Sequence, residues 1–252
     1  MFDQNFDPEG IVCCPRALKE NDRLNKEFEE IKERKKCTFT NNFTISYLNV
    51  NRMLPHKEDI STDSWLMNSD IISFGETWLK PEQKVCFEDQ GYKGIQVNTQ
   101  NANGKGLASF IKKKHEAFWE KFASEKYSAI LTKTKSVDVI QLYLSKDFDW
   151  NELHQILEKW IIQDKDVAII GDTNINYLKK SHYFIEFLKS KNFTQLVEKS
   201  THEDGGLLDQ IYVNLSLQKK KPFYSQRCVY YSDHDEIVLH IPIDRSEGTI
   251  FI

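Results

Sequence analysis

An aspartate and an asparagine follow one strongly apolar run of the sequence, where a site for chemistry on phosphoesters could form. In "VAIIGDTNIN" the run from Val167 to Ile170 is rich in β-branched residues, which is typical of a strand buried on both faces, and Gly171, Asp172 and Asn174 come after it. Alternation along the chain sends Asp172 and Asn174 to the same side, and Gly171 permits a sharp turn. Such a pair can orient and deprotonate a water molecule.

Similar polar groups stand at the ends of four further predicted strands. They are Asn49 and Asn51 in "LNVN", Glu76 in "FGETWL", Asp209 in "LLDQIYVN", and Asp233 and His234 in "YSDHDEI". Ligand sites of open sheets collect at strand ends, so we expect these side chains to converge. Carboxylate and amide oxygens bind Mg²⁺, and a histidine held by a carboxylate can contact a phosphate. The set is complete for metal-assisted hydrolysis of a phosphoester.

The composition indicates a globular protein, and its net charge argues against a purely electrostatic binder of nucleic acid while leaving a metalloenzyme open. The chain has 252 residues, 40% hydrophobic content and a formal net charge of −4, so phosphate binding must come from local groups or a metal. The cysteines, which lack metal-site spacing and are interpreted as reduced thiols, are Cys13, Cys14, Cys37, Cys86 and Cys228. No signal peptide or membrane span is predicted, so we expect an intracellular protein, nuclear or cytoplasmic and not secreted, with no membrane partner. A monomer is also expected.

Two regions are predicted along the chain. Residues 1–42 form a charged N-terminal helical arm and linker, which is either a solvated connecting helix or a docking arm for another domain or chain. Residues 43–252 alternate apolar runs with helical segments, which favours one mixed α/β domain. Strands are predicted at "FTISYLNV", "DIISFGE", "YKGIQVN", "GLASFIKKK", "KYSAILTK", "VDVIQLYLS", "VAIIGD", "FTQLV", "LLDQIYVN", "SQRCVYY" and "EIVLHIPI", and helices around Pro55, at "DFDWNELHQILEKWIIQDK" and at "SHYFIEFLKSKN".

Five strings, "LNVN", "GETWL", "GDTNIN", "LLDQIYVN" and "YSDHD", resemble in their order the signature of the endonuclease/exonuclease/phosphatase superfamily. The resemblance runs from about Thr44 to Ile243. "ISFGETWL" and "THEDGGLLDQIYVN" are most similar to the endonuclease domains of non-LTR retrotransposons and related mobile elements. The resemblance implies a four-layer α/β sandwich, in which two facing mixed β-sheets are flanked by helices and the active site lies at one rim.

The same resemblance implies a DNA endonuclease that depends on Mg²⁺, or on Mn²⁺ in its place, and leaves a 5′-phosphate and a 3′-hydroxyl. The implied roles are Glu76, Asn51 and Asp233 at the metal, Asp172 as general base, Asn49 and Asn174 orienting the water and the phosphate, Asp209 holding His234 in its working tautomer, and Tyr143 reaching the scissile phosphate. The chain departs from the family pattern after Tyr143, where relatives have a small residue and proline, and at Thr173 and Gln210.

The substrate and the function class leave alternatives open. Lysines at 112–114 and 219–221 could flank a nucleic-acid groove or be solvated surface, and Trp78 could stack on a base. Thr201 and His202 lie near a family position that contacts substrate, or form a capped turn. The alternative functions are a phosphatase or repair-type phosphodiesterase, and a catalytically silent nucleic-acid-binding module. The N-terminal helix resembles connectors that join such endonucleases to other mobile-element domains.

Overall fold

The computed structural model of the protein describes residues 42–98, 106–162, 164–179 and 182–243. Residues 1–41 of the predicted N-terminal arm lie outside these residues, and its last residue, Asn42, begins the first strand. Most of the turn between the third and fourth strands also lies outside them. The described chain forms two facing, mixed, six-stranded sheets with helices on their outer faces. This arrangement is the four-layer α/β sandwich that the sequence predicts.

Strands and helices follow one another along the described chain in a mixed order. They are β1 (Asn42–Asn49), α1 (Lys57–Thr62), a 3-10 turn (Leu66–Asn68), β2 (Ile71–Gly75), β3 (Tyr92–Val97), β4 (Leu107–Lys112), β5 (Ala117–Ala123), β6 (Tyr127–Thr134), β7 (Asp138–Leu144), α2 (Trp150–Trp160), β8 (Val167–Asp172), α3 (Tyr183–Ser190), β9 (Thr194–Gln195), β10 (Asp209–Val213), α4 (Leu215–Gln218), β11 (Phe223–Cys228) and β12 (Asp235–Pro242).

Each sheet has one parallel pair of strands among antiparallel neighbours. The first sheet has the order β11-β12-β1-β2-β4-β3, and the second has the order β5-β6-β7-β8-β10-β9. The parallel pairs are β1 with β2 and β7 with β8. Because parallel strands end at the same edge of a sheet, the residues that follow β1 and β2 meet at one rim, and so do those that follow β7 and β8.

Strand alternation divides the apolar side chains among three cores. Inward-facing residues such as Ile45 and Ile170 fill the space between the two sheets. The outer face of the second sheet packs against α2 and α3, which contribute Leu157 and Phe184. The outer face of the first sheet packs against α1, which contributes Ile60. A residue's parity along its strand therefore decides whether it points toward the centre of the sandwich.

The helix α2 shows how a local signal fixes one of these outer elements. The carboxylate of Asp149 accepts a hydrogen bond from the backbone N–H of Asn151 at 2.8 Å and so caps the N-terminus of the helix. The helix buries Leu153, Leu157 and Trp160 at helical spacing. It is shorter than the predicted segment and delivers the chain to β8.

Some elements differ from those predicted. The sequence does not reveal β5, whose residues are all exposed or half-buried and lack a clean alternation of apolar side chains. β9 has two residues where "FTQLV" predicts five, and the N–H of Phe193 donates to the carbonyl of Leu188 in α3 at 2.9 Å rather than to a neighbouring strand. α4 is a single turn whose N-terminal cap is Asn214. β11 begins two residues earlier than predicted and ends at Cys228.

The predictions that the chain has no membrane span and that its cysteines are reduced can be compared with the described residues. No helix among residues 42–98, 106–162, 164–179 and 182–243 is long and apolar enough to cross a membrane. Cys86 and Cys228 form no disulfide. The other three cysteines lie outside the described residues.

Gly171 is expected to tolerate no side chain. It lies within β8 rather than in a turn after it, its φ is 154°, and a Cβ there would overlap the backbone carbonyl of Leu142 on β7. We expect Gly171→Ala to lower the thermal unfolding midpoint sharply, because neither backbone can move aside. Gly91→Ala is the matched control: φ is 84° and no atom lies within 4 Å of the added Cβ. Its expected cost is only about 1–2 kcal/mol, and equal shifts for the two variants would contradict the explanation.

Candidate active site

The register of the second sheet places three of the predicted residues in one row. Tyr143 of β7 and Asp209 of β10 pair with Asp172 of β8 from its two sides. Asn49, the last residue of β1, faces this row from the first sheet. All four side chains are buried, because they continue the inward-facing core positions out to the rim.

A continuous run of close polar contacts joins the two sheets at this rim. Asp209 Oδ2 lies 2.8 Å from His234 Nδ1, and His234 Nε2 lies 3.3 Å from Asn49 Nδ2. The same amide nitrogen donates to Asp172 Oδ2 at 2.9 Å. We call these four residues, Asn49, Asp172, Asp209 and His234, the buried quartet. They come from four separate segments of the chain, and the fold brings together side chains up to 185 positions apart.

The hydroxyl groups of Ser232 and Thr201 hold the segments of the quartet in place. The sequence points to Thr201 but not to Ser232. Ser232 Oγ donates to the carbonyl of Asn49 at 2.6 Å and accepts from the N–H of His234 at 3.0 Å. Thr201 Oγ1 accepts from the N–H of Asp209 at 3.0 Å. Thr201 thus acts as a cap, one of its two predicted roles. A serine two residues before His234 in a turn is a signal that could have identified Ser232.

Asn174 and Tyr143 extend the site from the quartet to Glu76. The backbone N–H of Asn174 donates to Asp172 Oδ1 at 2.8 Å, and its side-chain amide donates to the carbonyl of Leu144 at 2.8 Å. The hydroxyl of Tyr143 lies beside the Glu76 carboxylate and the Asn174 amide. Burial, together with the charges of Glu76 and Asp172, raises the pKa of Tyr143. Tyr143 therefore enters the site as a neutral hydrogen-bond donor.

Two buried carboxylates near one imidazole dominate the electrostatics: Asp209 contacts Nδ1 of His234, and Asp172 is linked to Nε2 through the Asn49 amide. Burial and the nearby charge of Asp209 raise the pKa of Asp172 to about 7. Burial alone would lower the pKa of His234, but the Asp209 carboxylate outweighs it and raises that pKa to about 10. The arrangement thus pairs a carboxyl whose pKa lies near neutrality with a protonated imidazole, which is a usable combination of base and hydrogen-bond donor.

Two groups of side chains in the described residues could hold a metal ion. Their ligand atoms lie within 4.8 Å of one another, and they are Asp172, Asp209 and His234, and His202, Asp233 and His234. Glu76 belongs to neither group. Asp233 Oδ1 is buried and has no hydrogen-bond partner among the residues that the structure describes, so it is an oxygen donor open to a cation.

Tyr47 is a buried polar residue that the sequence does not mark as part of the site. Its hydroxyl lies inside the sandwich against Gly75, where a Cβ would overlap the phenol oxygen. Burial and the charges of Asp172, Asp209 and Glu76 raise the pKa of Tyr47, so it stays neutral. Gly75 is therefore required by the space that Tyr47 fills beneath the quartet.

The positive charge near the site does not come from the lysine runs. Lys112 ends β4, whose first residue Leu107 pairs with Gly75, so residues 112–114 lie at the end of the first sheet away from Glu76. Residues 219–221 follow α4, which leaves the far end of β10. Of the two interpretations that the sequence left open, this placement favours solvated surface over a groove beside the site, because each run follows a strand that begins rather than ends at the rim.

A cavity of about 290 Å³ opens beside Asn174 instead. Its lining includes Lys146, Lys179, Phe148 and His182. Two ammonium groups and an aromatic ring beside Asn174 are suited to a phosphate and an adjacent base.

Comparison with known proteins shows similarity in structure alone. No protein-family model and no curated protein matches the sequence. The endonuclease domain of TRAS1, a telomere-specific non-LTR retrotransposon, is 13% identical with a TM-score of 0.60, covering 80% of this chain and 99% of that one. An AP endonuclease from Archaeoglobus fulgidus is 16% identical with a TM-score of 0.58, covering 79% and 99%. A 3′-5′ exonuclease, NExo, from Neisseria meningitidis is 15% identical with a TM-score of 0.56, covering 79% and 99%. The chain has the fold of the endonuclease/exonuclease/phosphatase superfamily.

The charge of Asp172 is expected to cost stability in the metal-free protein. Burial raises the pKa of Asp172 from its ordinary value near 3.8 to about 7. The stability that the protonated carboxyl contributes is therefore fully present below the unfolded pKa and is lost as the pH rises through the folded pKa. We expect the unfolding free energy of the wild type to fall relative to Asp172→Asn by about 1.4 kcal/mol per pH unit between those values. Denaturant unfolding in EDTA measures this difference, with the exposed Asp89→Asn as control. Parallel curves for wild type and Asp172→Asn would contradict the assignment.

Proposed function

We propose that this protein is a Mg²⁺-dependent phosphodiesterase, and specifically a DNA endonuclease of the mobile-element type that leaves a 5′-phosphate and a 3′-hydroxyl. The buried quartet carries the proposal, because it holds a carboxyl of near-neutral pKa and a protonated imidazole side by side at the rim of the sandwich. The endonuclease domain of TRAS1 and the AP endonuclease, which share the fold, support this choice of reaction and substrate. Residues 43–252 are the proposed catalytic unit.

The oxygen donors at the rim fit a hard divalent cation. Glu76, Asn51 and Asp233 are the proposed ligands of Mg²⁺, and the unpartnered Oδ1 of Asp233 supports this assignment. When bound, the ion neutralises charge on the phosphate and stabilises the charge that develops during cleavage. Mn²⁺ prefers a similar set of oxygen ligands and is expected to substitute for it.

Asp172 is the proposed general base. Its two oxygens accept from the Asn49 amide and from the N–H of Asn174, which fixes the carboxylate at the rim. A water oxygen attacks the phosphorus and the bond to the 3′-oxygen breaks, while Asp172 takes the proton of the water. The leaving 3′-oxygen takes a proton from solvent and becomes the 3′-hydroxyl. Asn49 and Asn174 thereby orient the base and the attacking water.

His234 and Tyr143 are the proposed donors to the phosphate. Asp209 accepts from His234 Nδ1 at 2.8 Å, so Nε2 is the atom left to donate to a phosphate oxygen as its charge grows. A phosphate oxygen bound there would replace the amide nitrogen of Asn49 as the atom in contact with Nε2. Tyr143 supplies a second, neutral donor from the row beside Asp172.

DNA is the proposed substrate because the cavity beside Asn174 combines lysines with an aromatic ring. A small phosphoester would leave most of that lining without a partner. A DNA substrate also implies residence in the nucleus, and the N-terminal arm that the sequence predicts is a proposed point of attachment to other mobile-element domains.

Nicking of supercoiled plasmid by the purified chain tests the proposal. We expect nicking with Mg²⁺ and none with EDTA, and a loss of at least about 10³-fold in Asp172→Ala and His234→Ala, because each removes a group that acts on the transition state. His154→Ala, a half-exposed imidazole on α2, is the matched control and is expected to nick normally.

Two results would contradict this function. A folded wild type that leaves plasmid intact but hydrolyses a small phosphoester indicates the phosphatase alternative. A folded wild type that does not bind Mg²⁺ and cleaves neither plasmid nor a small phosphoester indicates a catalytically silent module.

A further inference from the structure

The loops that leave β1 and β2 are joined backbone to backbone beside the site. The N–H groups of Val50, Arg52 and Met53 donate to the carbonyls of Gly75, Glu76 and Thr77 at 3.1, 2.9 and 3.0 Å. The ladder between the two parallel strands therefore continues past their ends. It fixes the position of Arg52 relative to Glu76.

Backbone strain is concentrated in these two loops. Asn51, Arg52, Glu76 and Trp78 have φ values of 39°, 89°, 47° and 52°, in the left-handed region that favours glycine. Strain of this kind persists where the surrounding structure enforces it, and it collects at functional sites. Arg52 has the largest φ of the four, 89°. Glycine would adopt this backbone conformation without penalty.

The side chain of Arg52 is held in place, and the described residues leave its N–H donors without a carboxylate partner. Its guanidinium carbon lies 4.4 Å from the centre of the Trp78 ring, and Trp78 Nε1 donates to Glu76 Oε2 at 3.5 Å. The residue is exposed, and no described carboxylate lies within ion-pairing distance of it. The sequence suggests that Trp78 could stack on a base. In the structure Arg52 covers one face of the Trp78 ring instead.

We propose that Arg52 binds a backbone phosphate of the DNA strand next to the phosphodiester that is cut, and that Trp78 orients it for this contact. A planar guanidinium held over an aromatic ring presents its N–H groups as a fork, which matches two phosphate oxygens. The inference rests on the proposed function, since it places the DNA across the rim that carries Glu76. It also explains why a strained position carries arginine.

The closing test compares Arg52→Gly with Lys221→Gly. Lys221 is an exposed cation at φ 54° at the opposite end of the sandwich, so the control removes the same charge and a similar strain. Binding of a fluorescent DNA duplex is measured in EDTA over a series of salt concentrations, and KM and kcat for nicking are measured with Mg²⁺. Thermal unfolding of each variant shows whether the fold is intact.

We expect Arg52→Gly to bind duplex about tenfold more weakly, to reduce the slope of log K against log salt by about 1, and to raise KM with little change in kcat. Its unfolding midpoint is expected to equal or exceed that of the wild type, because glycine relieves the strain. Arg52→Lys is expected to keep the salt slope but not the full affinity. Lys221→Gly is expected to match the wild type in binding and in KM.

An Arg52→Gly variant with wild-type affinity, salt slope and KM would overturn the inference while leaving the proposed function intact. A wild type that binds duplex without nicking it would contradict the proposed function, and the binding series would still decide the role of Arg52. A wild type that neither binds nor nicks DNA would overturn both.

Discussion

The structure depends on keeping two buried carboxylates, Asp172 and Asp209, within reach of one imidazole at the meeting point of two sheets. An isolated buried carboxylate is costly, so each must be compensated by donors that the fold holds rigidly. His234 and the amide of Asn49 supply that compensation from two other segments. A site of this kind cannot form until the sandwich is assembled, because its partners come from both sheets.

The two-sheet architecture meets this requirement through register and parity. Tyr143, Asp172 and Asp209 lie in one row because three neighbouring strands pair at that level. Asn49 faces the row because it continues the inward-facing positions of β1. The large apolar core between the sheets offsets the cost of the charges at its edge. Stability and reactivity are thus separated along the same strands, with apolar residues inside and ionisable residues at the rim.

Much of the fold and the types of residue at the site could be predicted from the sequence, because strand ends such as "GDTNIN" carry their polar groups locally. β5 could not, since its half-buried residues show no clean alternation. Ser232 and Tyr47 were missed because their partners, Asn49 and Gly75, lie far away or carry no side chain. The sequence leaves the role of the lysine runs open, because a run of lysines does not indicate which end of a sheet it follows.

The most direct test of the central claim is the fate of solvent oxygen in a single turnover. If Asp172 activates a water that attacks the phosphorus, cleavage of DNA in ¹⁸O-labelled water must place the label in the 5′-phosphate and none in the 3′-hydroxyl. This result is the one that the geometry of the quartet predicts. Label in the 3′-hydroxyl, or a 5′-phosphate without label after one turnover, would contradict direct attack by water and with it the role of Asp172.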